Sequence, residues 1–101
     1  VAREHIFLDP GIGFGKRTNH NLELLNGLKE LCESDYGVLL GTSRKRFMGE
    51  ICQVDDSAQR MPATCATTAL GVYAGAKIFR VHDVWQNRQA ADTAFAILNA
   101  K

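Results

Sequence analysis

The sequence predicts an α/β fold with parallel strands, and three observations support this prediction. First, one pattern occurs three times: a short apolar run, a polar or glycine-rich turn, and a stretch with helical spacing. Strands that alternate with helices in this way are typical of parallel sheets. Second, the apolar runs are nearly continuous, as expected where helices cover both faces of a sheet. Third, polar residues directly follow each run, at its carboxyl end.

The first unit begins with the apolar run at residues 5–8, followed by Asp9 and a glycine-rich loop that ends at Lys16. This loop superficially resembles a phosphate-binding loop, but it fits neither usual glycine pattern and carries little weight. From about residue 19 to residue 33, leucines recur at helical spacing and predict one amphipathic helix. Asp9 could act simply as a turn former, because Asp readily bonds its own backbone.

The second unit has its apolar run at residues 38–40. Ser43 follows as the predicted N-cap of a short helix that contains Phe47. A longer helix is predicted to begin near Pro62, which suits a first helical turn, and to stop at Gly75.

The third unit has its apolar run at residues 78–81, and Asp83 is the predicted cap of the last helix. The predicted apolar side of that helix consists of Trp85, Ala91, Phe95 and Leu98. Because Trp85 shares this spacing, we expect it to lie in the core.

Composition excludes several classes of protein. With 101 residues, 46% hydrophobic and 23% charged, the chain suits one globular domain. A net charge of +1 gives no reason to expect nucleic acid or a membrane surface as a partner, and no apolar run reaches the ~20 residues of a membrane span. The three cysteines form no C-x-x-C pair, so we expect reduced, packed thiols in a cytoplasmic protein and no zinc site.

The candidate site residues are those at the ends of the apolar runs: Asp9, Ser43, Lys45, Arg80 and His82. Because the carboxyl ends of parallel strands meet at one edge, we expect these side chains to surround a common mouth. Arginine offers a planar fork to phosphate oxygens, and histidine can donate a hydrogen bond or a proton. Two structural alternatives stay open: residues 44–46 as a solvated basic face, and Arg80 with His82 satisfied by nearby carboxylates.

Three segments carry a resemblance to a known family. Residues 9–16 (DPGIGFGK), 41–45 (GTSRK) and 78–84 (IFRVHDV) resemble the C-terminal signature segments of the dihydropteroate synthases, in the same order and at similar spacing. The resemblance implies a pterin-binding (β/α)8 barrel, which takes ~250 residues. Residues 1–101 would supply its last three strand–helix units. The chain begins at Val1 rather than Met and soon enters a strand, so we expect the N-terminal strands to be absent.

The resemblance also implies roles for individual residues. Asp9 resembles the carboxylate that pairs with the pterin, Lys45 the lysine near the pterin carbonyl, and Gly41 the small residue that admits the ring. Arg80 resembles the arginine stacked on the pterin, and with His82 it would bind the departing diphosphate. Phe14 and Ser43 resemble residues that line the p-aminobenzoate pocket. Lys45, Arg80 and His82 are the implied catalytic residues.

The implied reaction joins 6-hydroxymethyl-7,8-dihydropterin diphosphate to p-aminobenzoate, giving dihydropteroate and diphosphate for folate synthesis. The family implies Mg²⁺, with no metal ligand in this chain, sulfonamides as competitors, and a homodimer or higher oligomer. We expect the chain alone to be inactive, since a diphosphate ligand and further pterin contacts are missing. Two alternatives are a pterin-binding methyltransferase domain and a non-catalytic half-barrel that serves as a dimerisation module.

Overall fold

The structure, a computed structural model, describes residues 7–13, 17–34 and 36–100. Within these ranges three strands form one sheet in the order β1–β2–β3, and both neighbouring pairs are parallel. The strands are β1 (Phe7–Leu8), β2 (Gly37–Leu40) and β3 (Ile78–Phe79). The predicted α/β fold with parallel strands is therefore confirmed. Predictions on Phe14 and Lys16 lie outside the described residues.

One or more helices follow each strand. They are α1 (Thr18–Asn26), α2 (Leu28–Cys32), α3 (Arg46–Cys52), α4 (Met61–Ala74) and α5 (Val84–Leu98), with a 3₁₀ turn at Ser57–Arg60 before α4. Pro62 lies in the first turn of α4, and Gly75 ends that helix with a φ of +113°, as predicted. The prediction of one continuous helix over residues 19–33 is wrong, because the chain leaves helical geometry at Gly27, where φ is −91° and ψ is 8°.

The core lies around the middle strand. Val38 and Leu40 of β2 are each 1% exposed, and both belong to the core cluster. Its other members, from loops and flanking helices, are Ile12, Leu28, Phe47, Met48 and Ala76. Helix α4 packs closely on this sheet at Gly71, where an added Cβ would lie 2.7 Å from a Leu40 methyl carbon and 2.7 Å from the Phe79 ring. The missing side chain thus lets α4 bring its threonines toward the end of β2.

Helix α5 corrects a prediction. It packs on α4 through the buried residues Asn87 and Ala94, and the Thr68 hydroxyl donates to the Asn87 side-chain oxygen at 2.6 Å. Trp85 is 66% exposed and Phe95 is 62% exposed, so the expectation that Trp85 lies in the core is wrong. The physical reason is that α5 turns small and polar residues toward α4 and leaves its large side chains outside. A groove of about 550 Å³ runs between the two helices.

The three cysteines are free, with Cys32 and Cys65 partly buried and Cys52 exposed. Burial raises the pKa of the Cys32 and Cys65 thiols, which suits small apolar packing residues. The expectation of packing is therefore wrong for Cys52 alone of the three. Among the residues described, no helix combines the length and the apolar character needed to cross a membrane.

Candidate functional site

The residues predicted to surround a mouth lie at the carboxyl ends of the strands. Asp9 directly follows β1 and Arg80 directly follows β3, where the Arg80 amide donates to the Leu40 carbonyl at 3.0 Å. Lys45 follows β2 and interacts electrostatically with both Asp9 and Arg80. The structure thus brings together an acid, a lysine and an arginine contributed by three different strand ends.

Lys45 lies over the loop that follows β1. Its amine donates a hydrogen bond to the Ile12 carbonyl. A Cβ at Gly13, where φ is +86°, would lie 2.6 Å from the Lys45 side chain, so a larger residue would strain the backbone and displace the lysine. Partial burial lowers the pKa of Lys45, Asp9 counteracts this effect, and the positive charge of Arg80 adds to it. The amine therefore loses its proton more readily than an ordinary lysine.

One carboxylate oxygen of Asp9 has the turn-forming role that the sequence left open. The Gly11 amide donates to Asp9 Oδ1 at 2.8 Å, which closes the turn after β1. The carboxylate is exposed, and within the described ranges no hydrogen bond reaches Oδ2. A turn-forming role and a ligand-binding role are therefore compatible for this residue.

Ser43 joins the β2 end to the β3 end. Its Oγ lies 2.7 Å from His82 Nδ1 and accepts a hydrogen bond from the His82 amide at 2.9 Å. The prediction that Ser43 caps the following helix is wrong. Helix α3 begins at Arg46 with Lys45 at its N-cap position, and no side chain caps it. The serine oxygen is already occupied by His82.

Arg44 adds a second connection between the same strand ends. Its guanidinium forks onto Asp83, with Nη2 2.7 Å from Oδ1 and Nε 3.1 Å from Oδ2. This hydrogen-bonded pair raises the pKa of Arg44 and holds the pKa of Asp83 below its usual value. Asp83 does occupy the N-cap position of α5, but its side chain makes no capping bond there, which corrects that prediction.

The alternative of a solvated basic face over residues 44–46 holds for only one residue. Arg46 is exposed and lies 3.6 Å from Glu50 on its own helix, a surface pair worth little. Arg44 and Lys45 instead contact neighbouring loops. Gly41 lies beside the site, and an added Cβ would meet the Arg80 side chain only at 3.9 Å.

The sequence did not predict the residues that support the backbone of the loop at Arg44, which are Thr64 and Arg60. Arg44 has a φ of +55°, its amide donates to the Thr64 hydroxyl at 2.9 Å, and its carbonyl accepts from Arg60 at 3.1 Å. Arg60 also donates to the carbonyls of Val54 and Asp55, at 3.1 and 2.8 Å. Nothing in the local pattern distinguishes Arg60 or Thr64 from other helix residues, so no sequence signal was available.

A second missed residue is Asn21 on α1. It is 2% exposed, and its side-chain oxygen accepts a hydrogen bond from the Gly13 amide at 2.8 Å. The leucine spacing of α1 predicts an apolar face and gives no indication that Asn21 has this role. Asn21 fixes the loop on which Lys45 lies.

Comparison with known proteins agrees with this geometry. The family described as pterin binding enzyme matches residues 1–82, most of the chain. The chain belongs to this family. The resemblance found in the sequence is therefore confirmed at the level of the family.

Individual pterin-binding relatives are similar over nearly the whole chain. The dihydropteroate synthase of Clostridium beijerinckii is 47% identical over 92 residues, covering 90% of the chain and 34% of that protein. The mitochondrial folate synthesis bifunctional protein of Pisum sativum is 44% identical over 105 residues, covering 95% of the chain and 20% of that protein. A crystal structure of the Clostridium difficile dihydropteroate synthase with pteroic acid superposes with a TM-score of 0.91 at 47% identity, covering 96% of the chain and 36% of that protein. The chain thus spans about 20–34% of the length of these two curated relatives.

Proposed function

We propose that the chain forms part of a dihydropteroate synthase and supplies the last three strand–helix units of its (β/α)8 barrel. The support is the parallel order of the three strands, the similarity to synthases, and the share of about 34% that the chain covers in the C. beijerinckii enzyme. Three units of eight agree with that share. Residues 1–101 are then one part of a single pterin-binding domain.

The observation that carries this proposal is the convergence of Asp9, Lys45 and Arg80 at one mouth. A carboxylate such as Asp9 accepts hydrogen bonds from the amino-pyrimidine edge of a pterin. The Lys45 amine donates to the ring carbonyl, and the planar guanidinium of Arg80 stacks on the ring face. Gly41 leaves room beside Arg80 for the ring to approach the backbone.

The reaction breaks the bond between the pterin methylene carbon and the diphosphate oxygen, and the electron pair leaves with that oxygen. The amine nitrogen of p-aminobenzoate forms the new bond to the same carbon and releases one proton. Negative charge accumulates on the diphosphate, and Arg80 with His82 stabilises it as it departs. In this proposal Lys45, Arg80 and His82 are the catalytic residues. Phe14 and Ser43 stay predictions for the p-aminobenzoate pocket.

Mg²⁺ stays an expectation from the family resemblance. The described residues contain no group of three or more His, Cys, Asp or Glu side chains that could hold a metal ion. The donors present at the mouth are mostly cationic and do not fit a divalent cation, so no step is assigned to it. Any ligand residue is expected outside the 101 residues.

Three further proposals follow from the same assignment. Sulfonamides compete with p-aminobenzoate, because both present an aromatic amine. The protein forms a homodimer or a higher oligomer, which fits the exposed Phe95 and Leu98 of α5. A cytoplasmic location stays a prediction.

A chimeric enzyme tests the function. Replacing the matching residues of the C. beijerinckii synthase with this chain should give a protein that forms labelled dihydropteroate from pterin diphosphate, labelled p-aminobenzoate and Mg²⁺. Arg80→Ala should lower turnover by about 10²–10³-fold, the usual loss for one stabilising donor. Arg88→Ala, at an exposed arginine that pairs with Asp92 on the same helix, is the matched control. A folded chimera that binds pteroic acid yet forms no product would contradict the proposal.

The chain by itself should behave differently. Transition-state stabilisation needs both halves of a site held rigidly together. We therefore expect weak pterin binding and no measurable product from the 101-residue chain. Product formation that Arg80→Ala abolishes would overturn this expectation. The relatives named as synthases favour this function over the methyltransferase and over a purely structural half-barrel.

A further inference from the structure

We propose that Ser43 is a positioning residue for His82, whose imidazole it holds in the tautomer that carries its proton on Nε2. The inference rests on the proposed function only for its consequence, because that function places His82 against the departing diphosphate. The tautomer itself follows from the hydrogen bonds in this chain.

The geometry is a double contact between the two residues. The His82 backbone amide donates to Ser43 Oγ at 2.9 Å, and the same oxygen lies 2.7 Å from His82 Nδ1. Ser43 is a largely buried residue, only 9% exposed, so it is surrounded mainly by protein atoms. The amide bond has a fixed direction, because a backbone nitrogen can only donate.

The direction of the second bond follows from counting donors and acceptors. A serine hydroxyl has one hydrogen and two lone pairs. If Nδ1 carried the proton, both lone pairs of Oγ would be used and the serine hydrogen would need another acceptor. The part of the chain that the structure describes offers none within hydrogen-bonding distance. If the serine donates to Nδ1, every group is satisfied, so a neutral His82 must carry its proton on Nε2.

This tautomer has a chemical consequence. The opposite nitrogen, Nε2, makes no hydrogen bond with any described residue, and His82 is exposed. An Nε2–H group donates to an anionic oxygen, whereas a bare Nε2 lone pair would repel it. Ser43 thus makes His82 a hydrogen-bond donor toward the diphosphate even when the imidazole is neutral. This role differs from the p-aminobenzoate contact that the family resemblance implies for Ser43.

The test is a ¹⁵N NMR measurement on the chain with labelled histidine. At a pH about two units above the usual histidine pKa of ~6.5, the protonated and bare ring nitrogens resonate far apart. The chain has three histidines, and His5→Gln and His20→Gln variants assign the signals. His20 is exposed and makes no side-chain hydrogen bond within the described ranges, so it reports the tautomer ratio of an unrestrained ring.

We expect His82 to be entirely in the Nε2–H form in the wild type. Ser43→Ala should shift it to the mixed ratio shown by His20, and Ser43→Thr, which keeps the hydroxyl, should restore it. An Nδ1–H tautomer in the wild type would overturn the inference without any variant being needed. A ratio unchanged by Ser43→Ala in a folded chain would do the same.

Inorganic pyrophosphate separates this inference from the proposed function. If His82 faces the diphosphate, pyrophosphate should shift its Nε2 signal. The apparent dissociation constant should then rise in Ser43→Ala by the reciprocal of the remaining Nε2–H fraction. If pyrophosphate leaves His82 unchanged while the tautomer results hold, the diphosphate role of His82 fails and the inference about Ser43 stands.

Discussion

The side chains at the mouth formed by the strand ends have partners within the chain, whereas those on the outer side of α5 are largely exposed. At the mouth, Ser43 and Arg44 each have a partner in the next strand's loop, at 2.7 Å in both cases. On α5, Trp85 and Phe95 are more than 60% exposed. The polar side chains at the mouth thus have their partners within this chain, whereas large apolar side chains on α5 are exposed.

One residue of the loop at the mouth, Arg44, has a strained backbone conformation. A non-glycine residue in the left-handed region costs roughly 1–2 kcal/mol. Arg44 adopts that conformation, and its amide, carbonyl and guanidinium are all hydrogen-bonded, to Thr64, Arg60 and Asp83. At about 1 kcal/mol for a typical net hydrogen bond, these four bonds, two of which join the guanidinium to Asp83, offset this strain. These bonds stabilise the observed conformation of the loop that presents Ser43 and Lys45.

The largest expected effect on stability comes from a substitution that displaces Arg60, which bonds the loop at Arg44. An added Cβ at Gly49 would lie 2.6 Å from both the Arg60 guanidinium and the Val54 carbonyl, so Gly49→Ala forces Arg60 away from the loop. We expect a loss of about 2–3 kcal/mol in the free energy of unfolding, measured by urea denaturation. Gly27→Ala is the matched control, since its Cβ would meet only ordinary contacts, the nearest at 3.5 Å. Equal stability of the two variants would contradict this account of Arg60.

A smaller effect tests the charged connection through its pH dependence. The pKa of Asp83 is lowered by its bond to Arg44. A depressed carboxyl pKa adds stability above the ordinary value of ~3.9, and that stability is lost as the pH falls through the folded-state pKa. Asp83→Asn should therefore destabilise the chain at neutral pH and differ less from wild type below about pH 4. Thermal melts from pH 3 to pH 7 measure this difference.

The control for that series is Asp92→Asn. Asp92 is 3.0 Å from Arg88, but both side chains are exposed on α5, so the pair should add little stability at any pH. A pH profile for Asp83→Asn that runs parallel to the wild type would show that the Arg44–Asp83 pair does not stabilise the fold.

The smallest effect on stability is expected on the outer side. Replacing Phe95 and Leu98 together with Gln removes exposed apolar surface and should change the free energy of unfolding by about 0.5 kcal/mol or less per site. The same change should weaken self-association, measured by sedimentation velocity over a range of concentrations. Arg88→Gln on the same helix should leave association unchanged. A wild-type chain that stays monomeric at all concentrations would remove the basis for proposing an oligomer.

The sequence by itself determined the features that depend on local spacing. The parallel α/β pattern, the start of α4 near Pro62 and its end at Gly75 follow from propensity and periodicity over a few residues. The same alternation put Asp9 directly after a strand, because residues 5–8 form an apolar run, and put Arg80 near the end of the run at residues 78–81. The structure ends β3 at Phe79, so that Arg80 directly follows the strand. These predictions needed no knowledge of which elements touch.

Only the tertiary structure decided which partner each polar side chain takes. Ser43 and Asp83 both looked like helix caps, and both instead bond residues 39 positions away. Likewise, the spacing of α5 predicts an apolar side but not which side faces α4. The prediction of Trp85 in the core is therefore wrong. The physical reason is that a capping bond and a cross-loop bond compete for the same oxygen, and only packing between distant elements determines the outcome.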